Sequence, residues 1–255
     1  MKVYVIALNT FRELIRSKVL YSVVFFAVLV VSVSALFGSV TIGDQVKVIK
    51  DFGLFSISFF GVCFGVISGS NLLSKELNRK TIYNILAKPV HRWEFLLGKE
   101  LGLIATMTVL VSLMGLGLVG FVYVFTGAPD LLLLQACYCI LLELIIVTSV
   151  VIFFSSIVVT PLLSGLFSFA VFLAGRSVQY IDQMKTFVGE GSIRSLLEGV
   201  YWLLPHLDRL NISSFVVYGH AARSDFLLSA LVYALGYSGI LLVLASYFFK
   251  YRDFN

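Results

Sequence analysis

Six long apolar runs, 19–40, 52–73, 101–125, 131–154, 157–174 and 226–249, alternate with shorter polar stretches along the chain. A helix needs about 20 mostly apolar residues to cross about 30 Å of hydrocarbon, so each run predicts a membrane span. The fourth and fifth runs are parted only by Ser155 and Ser156, and Pro161 falls in the first turn of the fifth, where proline is tolerated. Residues 131–174 therefore read as a tight hairpin of two spans, or as one long bent element. Ahead of the first run, 2–18 has a different pattern. Tyr4, Leu8, Phe11 and Ile15, with Ala7 and Leu14, make one helix face, and Asn9, Arg12, Glu13 and Arg16 make the other. That pattern predicts an amphipathic helix lying in the interface. A signal peptide does not fit, because its apolar core would follow a long amphipathic lead, although 32–35 resembles a cleavage site. The expected fold is an all-α integral membrane protein: one domain over 1–255, with six transmembrane helices behind an interfacial helix.

Composition supports this reading. The chain is 59% hydrophobic and 13% charged, against about 25% charged in a soluble protein, which is too little to cover a soluble surface. Its basic balance of +5 becomes a topology signal once Lys and Arg are assigned to loops. With the N-terminus inside, six spans return the C-terminus inside, and twelve of the nineteen basic residues then lie on the inner side. No nucleic-acid-binding motif accompanies the charge. Cys63, Cys137 and Cys139 all lie in apolar runs and read as small packed residues, since the C-x-C pair points to different sides of a helix.

Within the spans, Gly61, Gly65 and Gly69 recur every fourth residue in the second run, and Ser58 and Ser68 extend that small face. The stripe predicts a close helix–helix contact, within the subunit or across a dimer. Gly53 is excluded because bulky Ile57 interrupts the register. Glu143 reads as the only acid deep inside a span. Charged, it would cost about 2.5–3.5 kcal/mol on insertion scales, so it is expected to be paired, protonated or facing a wet cavity. Its role is either a pathway or dimer-interface contact or a structural hydrogen bond, with Gln135 and Ser149 near in sequence. The outer segment 175–225 is too long for a mere connection. A helix from Ser192, with Ile193, Leu196, Leu197, Val200 and Leu204 on one face, ends at Pro205 and predicts a re-entrant element or an exposed cap.

Several chemistries have no residues to carry them. The only Gly-Lys pair, Gly98 and Lys99, is followed by Glu100 and lacks the upstream glycine of a phosphate-binding loop. His91, His206 and His220 fall in loops, so neither a protease dyad nor a metal cluster forms in the membrane. No internal repeat marks a secondary transporter.

The polar stretch 74–100 stands apart, because 75–99 gathers six of the nineteen Lys and Arg residues between two spans. A helix is expected over 79–88, stopped by Pro89, with an amphipathic restart over 91–97. Scattered charge would suffice to grip anionic lipid. The alternation of apolar and basic positions around a rigid turn also suits a cleft in a cytosolic partner. Glu76, then Lys80, Thr81 and Ile82, then Leu86, Ala87, Lys88, Pro89 and Val90, Arg92, and Leu96, Leu97, Gly98 and Lys99 resemble the cytoplasmic signature of ABC-2 type permeases. The likeness is closest to the branch of the nitrous-oxide-reductase and multicopper-enzyme maturation permeases. The ending Phe249, Lys250, Tyr251, Arg252, Asp253 and Phe254 resembles the F-x-x-R-D-F finish of that branch, while Lys80 replaces the glycine of many wider relatives.

The resemblance implies a non-catalytic permease subunit of the cytoplasmic (inner) membrane, acting as an exporter or extruder, with 2–18 as its elbow helix. It implies a homo- or heterodimer with a second permease subunit, surrounding lipid, and a separate ATPase subunit that holds the ATP and Mg while this chain binds no cofactor. An extracytoplasmic accessory protein is a further implied partner. The docking set would be Glu76, Arg79, Lys80, Thr81, Leu86, Pro89, Arg92, Gly98 and Lys99, with Glu76, Arg79 and Arg92 as the polar contacts. The motifs are compatible with a lipid-like molecule, a peptide, a drug or a small sulfur or copper species as substrate. The competing reading is a stand-alone secondary transporter or lipid-binding scaffold, which would need no ATPase.

Overall fold

A computed structural model of the chain describes residues 2–40, 45–78, 91–158, 160–187 and 192–250, and every regular element among them is helical. In chain order these are α1 (Lys2–Ile15), α2 (Lys18–Val40), α3 (Gln45–Asn78), α4 (Arg92–Thr126), α5 (Leu132–Ile157), α6 (Pro161–Arg176), α7 (Val178–Phe187) and α8 (Ser192–Leu203). A 3-10 turn (Asp208–Leu210), α9 (Ser213–Val217) and α10 (Ser224–Lys250) complete them.

Four segments, Gln45–Lys75, Arg92–Thr126, Leu132–Ile157 and Ser224–Phe249, are long and apolar enough to cross a membrane. The expected first span reaches that measure only together with α1, as Lys2–Ile15 plus Lys18–Ser34 bent by 56°. The expected fifth is α6, which has 16 residues. At 1.5 Å per residue that is about 24 Å, short of the usual hydrocarbon thickness.

The hairpin break is not at Ser155 and Ser156. Helix α5 runs through both to Ile157, because a serine inside a helix can satisfy its hydroxyl on the preceding turn. Ser156 Oγ does so, donating to the Phe153 carbonyl at 2.7 Å. The break falls between Ile157 and Pro161, where Pro161 at the start of α6 pushes Thr160 into an extended conformation (φ −85°, ψ 127°).

Helix α5 is the centre of the bundle and packs against α3, α4, α6 and α10. Its residues 142–152 are buried on every side, as an all-round apolar helix requires. α10 is peripheral. Leu228, Val232, Leu235, Ile240 and Val243 form an exposed apolar stripe at roughly helical spacing along it.

The N-terminal helix keeps its polar face outward, with Asn9, Arg12, Glu13 and Arg16 exposed and Ala7, Leu8, Phe11 and Ile15 half-buried, and it departs from the pattern at Tyr4 and Thr10. Tyr4 is 70% exposed, and the residues α1 buries are Thr10 and Leu14. The partner surface decides this. Gly98 and Gly102 open a trough on α4, so that a Cβ at Gly98 would lie 2.8 Å from Ile6 and one at Gly102 2.6 Å from Thr10 and 2.8 Å from the Ala7 carbonyl. The face carrying Ile6 and Thr10 follows that trough, and α1 is seated backbone-close on α4.

The described residues of the outer segment form α7, α8 and α9, of which only the second has a sequence signal; α8 packs against α7, and α7 against α6. α9 packs against α3 and α5. Gly175 leaves room for the Pro205 carbonyl, 2.7 Å from where its Cβ would be. The His206 amide donates to Tyr233 Oη at 2.8 Å, Tyr237 Oη donates to the Leu203 carbonyl at 3.0 Å, and the Ala222 amide donates to Gln135 Oε1 at 2.9 Å.

Candidate functional site

Two carboxylates are buried against α5, and each ties three helices together. The first is Glu143, 1% exposed in the middle of α5. Its partner is neither Gln135 nor Ser149 but Arg176, the last residue of α6. Arg176 Nε donates to Oε1 at 2.9 Å and Nη2 to Oε2 at 3.1 Å, while Ser58 Oγ of α3 donates to Oε2 at 3.2 Å. Nη2 also donates to Ser58 Oγ at 3.0 Å, and the guanidinium lies 5.5 Å from the Phe172 ring. A two-pronged Arg–carboxylate contact is the strong form of the interaction. Placing the cation at the C-terminus of α6 adds a favourable helix-dipole contribution. Counting basic residues by loop assigns Arg176 to the outer segment, but the shortness of α6 brings its end to the level of Glu143. A signal for this exists in the chain: the two residues lie sixteen and seventeen positions either side of 159, the centre of the hairpin break.

The second carboxylate corrects the expectation that Glu143 is the only deep acid. Glu100, in the third turn of α4, is also 1% exposed. Its Oε1 accepts hydrogen bonds from Thr148 Oγ1 at 2.9 Å and Ser149 Oγ at 2.8 Å. The Ser149 hydroxyl in turn bonds to that of Ser238 on α10. Oε2 has no partner among the described residues. Position 100, at the edge of an apolar run, gave no cue to its depth. The cue lay in the hydroxyl pair Thr148 and Ser149 on the otherwise apolar α5.

Of the expected docking set, Arg79, Lys80, Thr81, Leu86 and Pro89 lie outside the described residues, as does the helix expected over 79–88. Glu76 lies in the last turn of α3. The remaining three are built into the bundle. Arg92 Nη1 donates to the Phe249 carbonyl at 2.6 Å and its guanidinium lies 5.9 Å from the Phe249 ring, which stacks on Phe95. Gly98 is filled by α1. Lys99 is only 4% exposed, with its ammonium 5.7 Å from the Phe95 ring. Gly98 and Lys99 are therefore not surface contacts; their small size and long apolar stem suit a seat for α1. Lys75 and Glu13 form an ion pair of 2.6 Å between α3 and α1 beside the stretch.

The small-residue stripe is consumed inside the subunit. A Cβ at Gly61 would meet Leu144, one at Gly65 Met107 and one at Gly69 Val151, each at 2.8 Å, and Ser68 is buried alongside. Gly53 belongs to the same system, with the Leu118 side chain filling the space where its Cβ would be. Ile57 does not interrupt the stripe because it is itself buried. In a membrane, where water expulsion does not drive helix association, such close backbone approach supplies much of the packing. Among the described residues no group of three or more His, Cys, Asp and Glu side chains is placed to hold a metal.

Residues 4–254 match the model of a family described as ABC-2 family transporter protein. No curated protein matches the chain.

Proposed function

The chain belongs to the ABC-2 family of transporter proteins, and from that premise we propose that it is the permease subunit of an ATP-driven exporter, docked to a separate ATPase subunit. The family match over 4–254 carries this reading. The absence of a phosphate-binding loop in the sequence agrees with it, since ATP and Mg then belong to the partner. The subunit pairs with a second permease subunit in the cytoplasmic membrane. Its six crossings leave both termini cytoplasmic, with α1 as the elbow helix, α2 as the first span, and α6 extended by the outer helices as the fifth. The stretches 76–99 and 249–254 support placement beside the nitrous-oxide-reductase maturation permeases.

The arrangement around 74–100 supports a coupling role for that stretch. α3 leads into it and is joined to α1 by Lys75 and Glu13. α4 leads out of it, and its first turns hold both α1, at Gly98, and the end of α10, through Arg92. A push on the stretch from below is thus delivered to four helices at once.

The test is gentle purification of the tagged chain from its native membrane, with measurement of co-purifying protein and ATP hydrolysis. A stoichiometric ATPase, released by Arg79→Glu while membrane insertion persists, is the expected result. Arg79 is the better probe than Arg92, whose loss would also free the end of α10. An ATPase that stays bound and coupled in Arg79→Glu would sink the docking assignment. A chain that purifies without any ATPase from several mild detergents would favour the stand-alone transporter or scaffold.

A further inference from the structure

Beside the N-terminal half of α3 lies a cavity of about 320 Å³, bordered by Asp51, Phe52, Phe55, Arg176, Asn211 and Ser213. Arg176 enters it already oriented. An arginine presents five N–H donors in a rigid fork. Glu143 and Ser58 occupy the Nε and Nη2 side, and Nη1 makes no hydrogen bond among the described residues. The Arg176 side chain keeps 25% of its surface exposed whereas Glu143 keeps 1%, so the unspent side of the fork is the cavity side.

Asp51 lines the same cavity with an unspent charge, whereas the charge of Arg176 is matched by Glu143 and only its Nη1 donors are free. Asp51 has no hydrogen bond or ion pair among the described residues and is exposed. It precedes Ser58 by seven residues on the same face of α3, about 10 Å along the axis, and Ser58 touches Arg176. Phe52 and Phe55, 44% and 54% exposed, supply an apolar wall. The Asn211 amide and Ser213 hydroxyl add donors, because only the Oδ1 of Asn211 is engaged, by the Ser213 amide at 3.4 Å.

We infer that this cavity is a binding site for a small zwitterion. Its anionic group sits on Arg176 Nη1, its ammonium on Asp51 and its apolar body on Phe52 and Phe55. An anion alone would also meet Asp51, and a cation alone would leave the Nη1 donors without an acceptor, so a ligand carrying both charges is preferred to either. Ligand cavities begin near 300 Å³, which matches a headgroup-sized molecule. Phosphoethanolamine has this chemistry, free in water or as the headgroup of a lipid. The site is formed by this chain alone and holds whether or not an ATPase docks.

The experiment is native mass spectrometry of the delipidated full chain, titrated with phosphatidylethanolamine or phosphatidylglycerol, with free phosphoethanolamine as competitor. Phosphatidylethanolamine is expected to bind roughly fivefold tighter than phosphatidylglycerol. Asp51→Asn should erase that preference, and Arg176→Lys, which keeps a charge for Glu143 but loses Nη1, should weaken both lipids. Displacement by free phosphoethanolamine identifies an aqueous ligand, and resistance to it a lipid; both uphold the site. Equal binding of the two lipids, or a preference that survives Asp51→Asn, would overturn it. Asp51 lies on the surface, so that variant decides the matter even if Arg176→Lys fails to fold.

Discussion

Glu143 and Glu100 are equally buried, yet they are accommodated in opposite ways. Glu143 is met by a cation, with Arg176 reaching it from α6 in a two-pronged contact and Ser58 closing the third side. Glu100 is met only by hydroxyls, from Thr148 and Ser149, with Ser238 behind them. Their contacts on α5 are five to six residues apart, about 8 Å along the helix. The difference concerns what happens when one member is lost. Removing either member of the ion pair strands the other charge among helices. Thr148 and Ser149 have a fallback, because each hydroxyl is also within 3.0 Å of the Ile145 carbonyl on its own helix. One cluster locks α3, α5 and α6 together, and the other joins α4, α5 and α10 by contacts that can be exchanged.

The sharpest way to break the comparison is to cut the ion pair. Glu143→Ala or Arg176→Ala alone is expected to destabilise by about 3–5 kcal/mol, the usual cost of leaving a buried charge unpaired. The double variant should cost clearly less than the sum of the two. Unfolding of the purified chain in detergent, assembled as a double-mutant cycle, measures the coupling. Additive losses would mean that the pair is screened and that the two clusters are alike. A smaller effect separates the carboxylates by charge alone. Glu143→Gln keeps the shape but leaves Arg176 without a counter-charge, whereas Glu100→Gln keeps an acceptor for the same two hydroxyls. A cost of about 1 kcal/mol or less is expected for Glu100→Gln, and at least twice that for Glu143→Gln. Equal melting shifts for the two would remove the distinction.

Much of this frame is legible in the chain, for reasons that also explain what is not. Apolar runs as long as those of α3, α4, α5 and α10 leave a helix of full spanning length as the simplest outcome, and the glycines at 61, 65 and 69 show the face that must pack closely. What they pack against is not local information, since Leu144, Met107 and Val151 come from two other helices. Arg176 and Glu100 are misplaced for one shared reason. Both sit at the ends of apolar runs, where a count of run length puts a charge at the surface, whereas depth is set by how far each helix reaches relative to its neighbours. α6 stops short and carries Arg176 inward. α4 begins at Arg92, eight residues before Glu100, and so draws Glu100 under α5. Tyr4 and Thr10 are the exceptions to the pattern of α1, because two glycines on α4, distant in sequence, set how the amphipathic helix is seated. Short elements such as α9, with five residues, have no periodicity to detect.

The smallest test compares the two serines that complete the clusters. Ser58 is engaged twice, donating to Glu143 and accepting from Arg176, so Ser58→Ala removes two contacts to charged groups and leaves one N–H of the guanidinium without its acceptor. Among the described residues the one hydrogen bond of the Ser238 hydroxyl is to that of Ser149, which retains Glu100 and Ile145 as acceptors. Hydrogen bonds to charged groups are worth about 1.5–3 kcal/mol and neutral ones about 0.5–1.5 kcal/mol. Ser58→Ala is therefore expected to lower stability by about 1–2 kcal/mol, and Ser238→Ala by about 0.5 kcal/mol. Thermal unfolding of the two variants side by side resolves that order. If Ser238→Ala proved the more damaging, the hydroxyl cluster would be the tighter of the two joints, and the locked half of the bundle would be the one around α10.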